Sequence, residues 1–227
     1  MKAAVVVFPG SNRERDVGRA LRDVTGHEPH YAWHADPVLP AGTDLVVLPG
    51  GFSYGDYLRC GAIAGRAAIM DAVRGHAARG GLVLGICNGF QILVESGLLP
   101  GVLMRNAGLK FACRMQHLRV ERADTAFTRR YAAGQVIEVC IAHGEGNYVA
   151  DDTTIARLEG DGLVAFRYCD SDGVVGGAAN PNGSINAIAG IYSPSRTILG
   201  MMPHPENLID PLVGGTDGRG LFESIAA

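Results

Sequence analysis

Apolar residues in this chain fall into two patterns, short continuous runs and helix-spaced stretches, and these alternate through its first half. Ala3 to Phe8 is a β-branched run stopped by Pro9-Gly10, and Asp44 to Leu48 is stopped by Pro49-Gly50-Gly51. Leu82 to Ile86 is a third run, entered from Gly80-Gly81. Runs of this length bounded by Gly and Pro predict strands buried on both faces. Between the first two, Val17, Ala20, Leu21 and Val24 recur at helical spacing. Ser11-x-x-Glu14 predicts a capping box at the start of that helix and Gly26 its end, so the helix is expected over Arg13 to Thr25. His30 to Trp33 is a weaker strand candidate. A second helix is expected over Ala62 to Ala78, with Ile63, Ala67, Met70 and Val73 inward. A third follows the Leu82–Ile86 strand, marked by Phe90, Leu93 and Val94.

Strand alternating with helix is the pattern of a parallel sheet covered on both faces. After Arg105 the pattern changes. Phe111 to Arg122 and Gln135 to Ala142 read as extended, with little helix between, which predicts antiparallel strands added to the sheet. Asp151 to Leu158 suits a short helix. Leu163 to Cys169, Ala187 to Tyr192 and Arg196 to Met202 suit strands, and Gly218 to Ala227 a closing helix. No repeat, heptad run or linker divides the chain, so one domain over residues 1–227 is expected.

Composition narrows the function classes. Hydrophobic residues make up 47 %, enough for a substantial core, and the formal net charge of −3 is spread over both signs. Neither a nucleic-acid footprint nor an anionic-membrane patch is visible. No apolar run is long enough to span a bilayer, and the apolar start is too short for a signal peptide. Five cysteines at irregular spacing argue against a disulfide scaffold and predict a reducing, cytoplasmic setting.

The stretch with most chemistry in it is Gly85-Ile86-Cys87-Asn88-Gly89, the cysteine version of a G-x-S-x-G nucleophile elbow. It leaves a strand and opens a helix, so a thiol at Cys87 would sit at a helix N-terminus, where the dipole favours the thiolate. A thiol nucleophile needs a base, and the base needs an orienting group. His204-x-Glu206 after the last strand suits both roles: in an extended segment, residues two apart point the same way. The flanking Pro203 and Pro205 stiffen the backbone there. Acyl chemistry also needs oxyanion donors. The Asn88 amide follows the nucleophile, and the bare Gly50-Gly51 loop offers a second, at Gly51.

These residues together with Pro49-Gly50-Gly51-Phe52 and Gln91 resemble the class I, triad-type glutamine amidotransferases. Phe8-Pro9-Gly10-Ser11-Asn12, Gly51 to Asp56, Ala142-His143-Gly144-Glu145-Gly146, Asn180 to Ser184 and Met202 to Glu206 are similar to one branch. That branch comprises the glutaminase subunits of phosphoribosylformylglycinamidine synthase, in purine biosynthesis. The likeness runs nearly end to end. It implies an α/β, flavodoxin-like class I glutaminase fold: a mostly parallel central sheet flanked by helices, with added antiparallel strands. It implies that Cys87 attacks the side-chain amide of L-glutamine, that His204 relays the proton to ammonia and that Glu206 orients His204. Phe52, Gln91, His143, Gly144 and Glu145 would hold the substrate. Ammonia would pass to a large ATP-dependent synthetase subunit (PurL type), often joined by a small third subunit (PurS type). Arg13 stands where many members carry cysteine and Asn207 where many carry arginine, which leaves contacts with partner or loop open.

No G-x-x-x-x-G-K-[ST] loop and no acidic cluster of Mg²⁺ spacing is present, so no cofactor is expected in this chain and ATP with Mg²⁺ belongs on the partner. His27-x-x-His30-x-x-x-His34 is read as solvated histidines, and Cys113 and Cys140 as core thiols. Two other readings stand beside the glutaminase: a stand-alone cysteine hydrolase of a related elbow-bearing fold, which has no need of His204 and Glu206, and a non-catalytic regulatory subunit. No role is assigned to Asp56.

Overall fold

The computed structural model describes residues 1–227. The first half winds strand and helix alternately: β1 (Ala3–Val7), α1 (Glu14–Thr25), β2 (His30–Trp33), β3 (Leu45–Leu48), α2 (Ile69–Ala78), β4 (Leu82–Ile86) and α3 (Asn88–Glu95). Then come β5 (Val102–Met104), β6 (Ala112–Val120), β7 (Val136–His143), β8 (Asn147–Val149) and α4 (Asp152–Gly160). The chain closes with β9 (Val164–Cys169), β10 (Ile188–Tyr192), β11 (Ile198–Met201) and α5 (Arg219–Ala226).

Nine strands form one sheet in the order β2-β1-β3-β4-β11-β10-β9-β6-β7. Neighbours from β2 to β11 pair in parallel and the rest antiparallel. Only β10 and β6 therefore run against the other seven strands. Strands β3 and β4 are continuous apolar runs because helices cover both faces of the parallel half. A single cluster of 53 buried apolar residues runs through both halves, so they share one core. The register sets Leu48 beside Gly85 and Gly85 beside Gly200. The carboxyl ends of β3, β4 and β11 thus lie side by side, and the loops after them meet at one place, where parallel sheets bind ligands. The antiparallel half curls until β7 reaches the chain leaving β11, where the His204 amide donates to the Cys140 carbonyl at 2.9 Å.

The structure departs from the sequence reading in several places. The capping box is absent: Ser11 Oγ accepts from the Phe8 amide at 3.0 Å, and α1 begins at Glu14 without a side-chain cap. The helix expected over Ala62 to Ala78 is broken. A single 3₁₀ turn over Ala64–Arg66 packs under α3, Ala67 is extended, and α2 starts only at Ile69. The tertiary contact with α3 overrides helical spacing here. Strands β5 and β8, three residues each, pair as a separate two-stranded sheet that the sequence pattern did not reveal. The expected helix near Asp151 forms as α4, with the Asp151 side chain accepting from the Thr154 amide at 2.7 Å. No helix is long and apolar enough to cross a membrane.

Candidate active site

Cys87 sits between β4 and α3 with φ 51° and ψ −106°, a conformation L-residues rarely adopt. Such strain is stored where the surroundings over-determine it. Here the glycines on either side do so. A Cβ on Gly89 would lie 1.8 Å from the Leu48 carbonyl oxygen, and one on Gly85 would strike Gly89 and Leu93. Only glycine lets α3 pack this closely on β3 and β4, and that packing forces the turn that presents Cys87. The thiol is 6 % exposed and stands at the N-terminus of α3, 3.7 Å from the Ala142 carbonyl.

His204 and Glu206 are both 2 % exposed, and His204 Nδ1 lies 2.7 Å from Glu206 Oε1. The sequence reading placed them two apart on an extended segment. Instead Pro205–Asn207 makes one 3₁₀ turn, and the turn brings the carboxylate back to the ring. Burial opposes charge on His204. The charge of the Glu206 carboxylate and its hydrogen bond to the ring, with the nearby Cys87 sulfur, outweigh it and hold the imidazole pKa well above its ordinary value. His204 is thus tied to Glu206 through Nδ1, while its Nε2 is buried with no hydrogen-bond partner in the protein.

The loop after β3 completes the turn. The Gly51 amide donates to no acceptor in the protein. A Cβ there would collide with Gly10, Ser11 and Asn12, and the residue holds φ 148°. The Asn88 amide, first in α3, has no acceptor within the helix. The Asn88 side chain ties the two loops together: its Oδ1 accepts from the Ser53 amide at 3.1 Å, and its Nδ2 donates to Gln91 Oε1 at 2.9 Å and Asp56 Oδ1 at 3.3 Å. The sequence reading used only the backbone of Asn88 and missed this bridge. A carboxamide in the first helical turn after a nucleophile was the available signal.

A cleft of about 300 Å³ opens beside Cys87. Gly51, Phe52, Gln91, His143, Gly144 and Glu145 line it, so the structure gathers the expected substrate-binding residues around the thiol. They differ in what they can offer. Gln91 Nε2 donates to the Glu145 carbonyl at 2.7 Å, and its Oε1 receives Asn88. Its amide is taken up by the wall of the cleft. Phe52 is 48 % exposed at the mouth. Asp56, Cys60, Arg105 and Lys110 join the lining unforeseen. Burial and the nearby Glu145 raise the Asp56 carboxyl, though hydrogen bonds from Cys60 and Asn88 pull the other way. Burial raises the Cys60 thiol far above its usual range, with Glu145 and Asp56 adding to the effect.

Other sequence signals lie elsewhere. His27 and His30 are exposed, while His34 is half-buried with Nδ1 2.7 Å from the Tyr54 hydroxyl. Cys140 is no plain core thiol, since Asn207 Nδ2 donates to its sulfur at 3.1 Å. Cys113 is exposed, contrary to the expectation of burial.

A family model described as "CobB/CobQ-like glutamine amidotransferase domain" matches residues 1–215. The chain belongs to this glutamine amidotransferase family. It is 69 % identical to the phosphoribosylformylglycinamidine synthase subunit PurQ of Bradyrhizobium diazoefficiens, over 100 % of this chain and 97 % of that one. It is 60 % identical to the subunit of the same name in Rhodospirillum rubrum, over 99 % and 98 %. Among solved structures, a chain of PurLQS from Thermotoga maritima superposes with a TM-score of 0.86 at 44 % identity, over 99 % of this chain and 96 % of that chain. In this amidotransferase the gathered elements are set in the fold of its family.

Proposed function

We propose that this chain is the glutaminase subunit of phosphoribosylformylglycinamidine synthase in de novo purine biosynthesis. It hydrolyses L-glutamine to glutamate and passes the ammonia to an ATP-dependent synthetase subunit, which converts formylglycinamide ribonucleotide to its amidine. The convergence of Cys87, His204 and Glu206 carries the reading at the level of chemistry. The full-length likeness to PurQ subunits carries it at the level of substrate and partner.

The Cys87 thiolate adds to the side-chain amide carbon of glutamine, and the oxyanion is received by the Gly51 and Asn88 amides. His204, protonated, gives its Nε2 proton to the nitrogen as the C–N bond breaks, which releases ammonia and leaves a γ-glutamyl thioester on Cys87. Neutral His204 then takes a proton from water as the water attacks the thioester carbonyl. Glutamate departs and the thiolate–imidazolium pair is restored. Glu206 holds the His204 tautomer throughout and stabilises its charge. The cleft wall at Gly144 and Glu145 receives the amino-acid end of the substrate.

The partners in this proposal are a PurL-type large subunit and a PurS-type small subunit, as in the PurLQS assembly to which the chain is similar. ATP and Mg²⁺ are assigned to the large subunit, and the compartment to the cytoplasm. Co-purification with an ATP-binding synthetase, followed by glutamine-dependent amidine formation in the reconstituted complex, is the expected outcome. Full glutaminase activity in the isolated chain, with no stimulation by the synthetase, would argue for a stand-alone hydrolase instead.

A further inference from the structure

The chain leaves β7 at His143, its last residue, and Gly144–Gly146 belongs to no strand or helix; His143, Gly144 and Glu145 line the cleft. Each of the four carbonyls of residues 143–146 is taken by a group from a distant part of the chain. Asn106 Nδ2 donates to the His143 carbonyl at 2.9 Å, and the Asn106 amide to the Gly144 carbonyl at 2.9 Å. Gln91 Nε2 holds the Glu145 carbonyl. Asn182 Nδ2 donates to the Gly146 carbonyl at 2.8 Å, with Ser184 Oγ 3.2 Å from the same oxygen. Asn106 Oδ1 in turn receives the Gly146 amide at 3.0 Å and His143 Nδ1 at 3.2 Å. With every carbonyl turned into the protein, the amides of Gly144 and Glu145 are left without a protein acceptor. Two consecutive free amides in a cleft wall form an anion-binding concavity.

Asn106 and Asn182 are each 1 % exposed. Buried carboxamides contribute to stability only when their hydrogen bonds are complete; besides residues 143–146, Asn106 Nδ2 also donates to the Lys110 carbonyl, and Asn182 also bonds Tyr168 and Ser184. Building on the glutaminase reading, we propose that Asn106 and Asn182 are positioning residues for substrate recognition. Through the carbonyls of residues 143–146 they aim the Gly144 and Glu145 amides at the α-carboxylate of the amino acid. The Asn180–Ser184 loop, remote in sequence from the nucleophile, thereby sets affinity for glutamine without touching it.

The test is the reconstituted complex of this chain with its synthetase, assayed for ammonia release from L-glutamine and from L-glutamine methyl ester, which lacks the α-carboxylate charge. Asn182→Asp keeps the acceptor for Ser184 and removes the donor to Gly146. Asn106→Ser weakens the other clamp independently, so either folded variant decides the matter. A displacement of about 1 Å in a positioning segment costs up to about 10²-fold. We expect KM for glutamine to rise about tenfold or more with kcat changed little, while kcat/KM for the ester stays within about twofold. Equal losses on both substrates would mean a general structural role and overturn the inference, as would unchanged kinetics on both. A wild-type complex inert toward glutamine overturns the glutaminase reading itself, and this inference with it.

Discussion

The parallel strands β3, β4 and β11 and the antiparallel strand β7 all end at one cleft, but they hold their functional groups by different means. On the parallel side the backbone does the holding. Gly85 and Gly89 allow α3 to lie on β3 and β4, and this contact fixes Cys87 in its strained turn. On the antiparallel side the chain leaves β7 as an irregular segment held by the side-chain amides of Gln91, Asn106 and Asn182. Reacting groups need sub-ångström placement on rigid elements, whereas a substrate's charged end needs only amides facing the right way. The difference teaches where damage goes: changes on the parallel side should remove turnover, and changes on the antiparallel side should remove affinity.

The comparison breaks most visibly at the nucleophile. Cys87→Ala should lower glutamine-dependent amidine formation by at least about 10⁴-fold and leave ammonia-dependent formation by the complex intact. Loss of both activities would show that Cys87 supports the fold or the synthetase step instead. Glu206→Gln should lower kcat by about 10²–10⁴-fold, because the imidazole loses the carboxylate that sets its tautomer and favours its charge. The raised His204 pKa keeps the imidazolium form as pH climbs past the ordinary histidine range, so activity that depends on it persists there in the wild type. Without the carboxylate that pKa falls, and the alkaline limb of the pH–rate profile should move to lower pH. An unmoved limb would separate Glu206 from His204.

On the antiparallel side, burial and the charge on His204 push His143 down to about 4. The folded ring is neutral while the unfolded one takes up a proton near its ordinary value. The stability from this group is therefore complete above about pH 6.5 and is lost as pH falls toward 4, by about 3 kcal/mol. Urea unfolding of wild type and His143→Gln across that range should show the wild type losing stability more steeply. Parallel curves would remove the assignment. The smallest effect expected is Gly89→Ala. Its Cβ meets a backbone oxygen that cannot move alone, so α3 must shift at a cost of about 1–3 kcal/mol. The thermal midpoint should drop by about 2–4 °C for each kcal/mol, and turnover should fall with it. A stable, fully active Gly89→Ala would show that the elbow tolerates looser packing than the parallel side is argued to require.

Continuous apolar runs and helical spacing follow from local chemistry, so the sequence by itself determined most elements: β1, β3, β4, β9 and the change to antiparallel strands beyond Arg105. It also determined the elbow, since Gly-x-Cys-x-Gly between a strand and a helix has few other uses, and the pairing of His204 with Glu206. Only the tertiary structure decided the rest. The break before Ile69 depends on α3 packing over residues 64–66, and the three-residue strands β5 and β8 are too short for a period to show. His204 meets Glu206 through a 3₁₀ turn, not along a strand. The roles of Asn88, Asn106 and Asn182 come from hydrogen bonds to groups far away in sequence. A carboxamide carries no periodic signal, so what it does is known only once the chain has brought its partners to it.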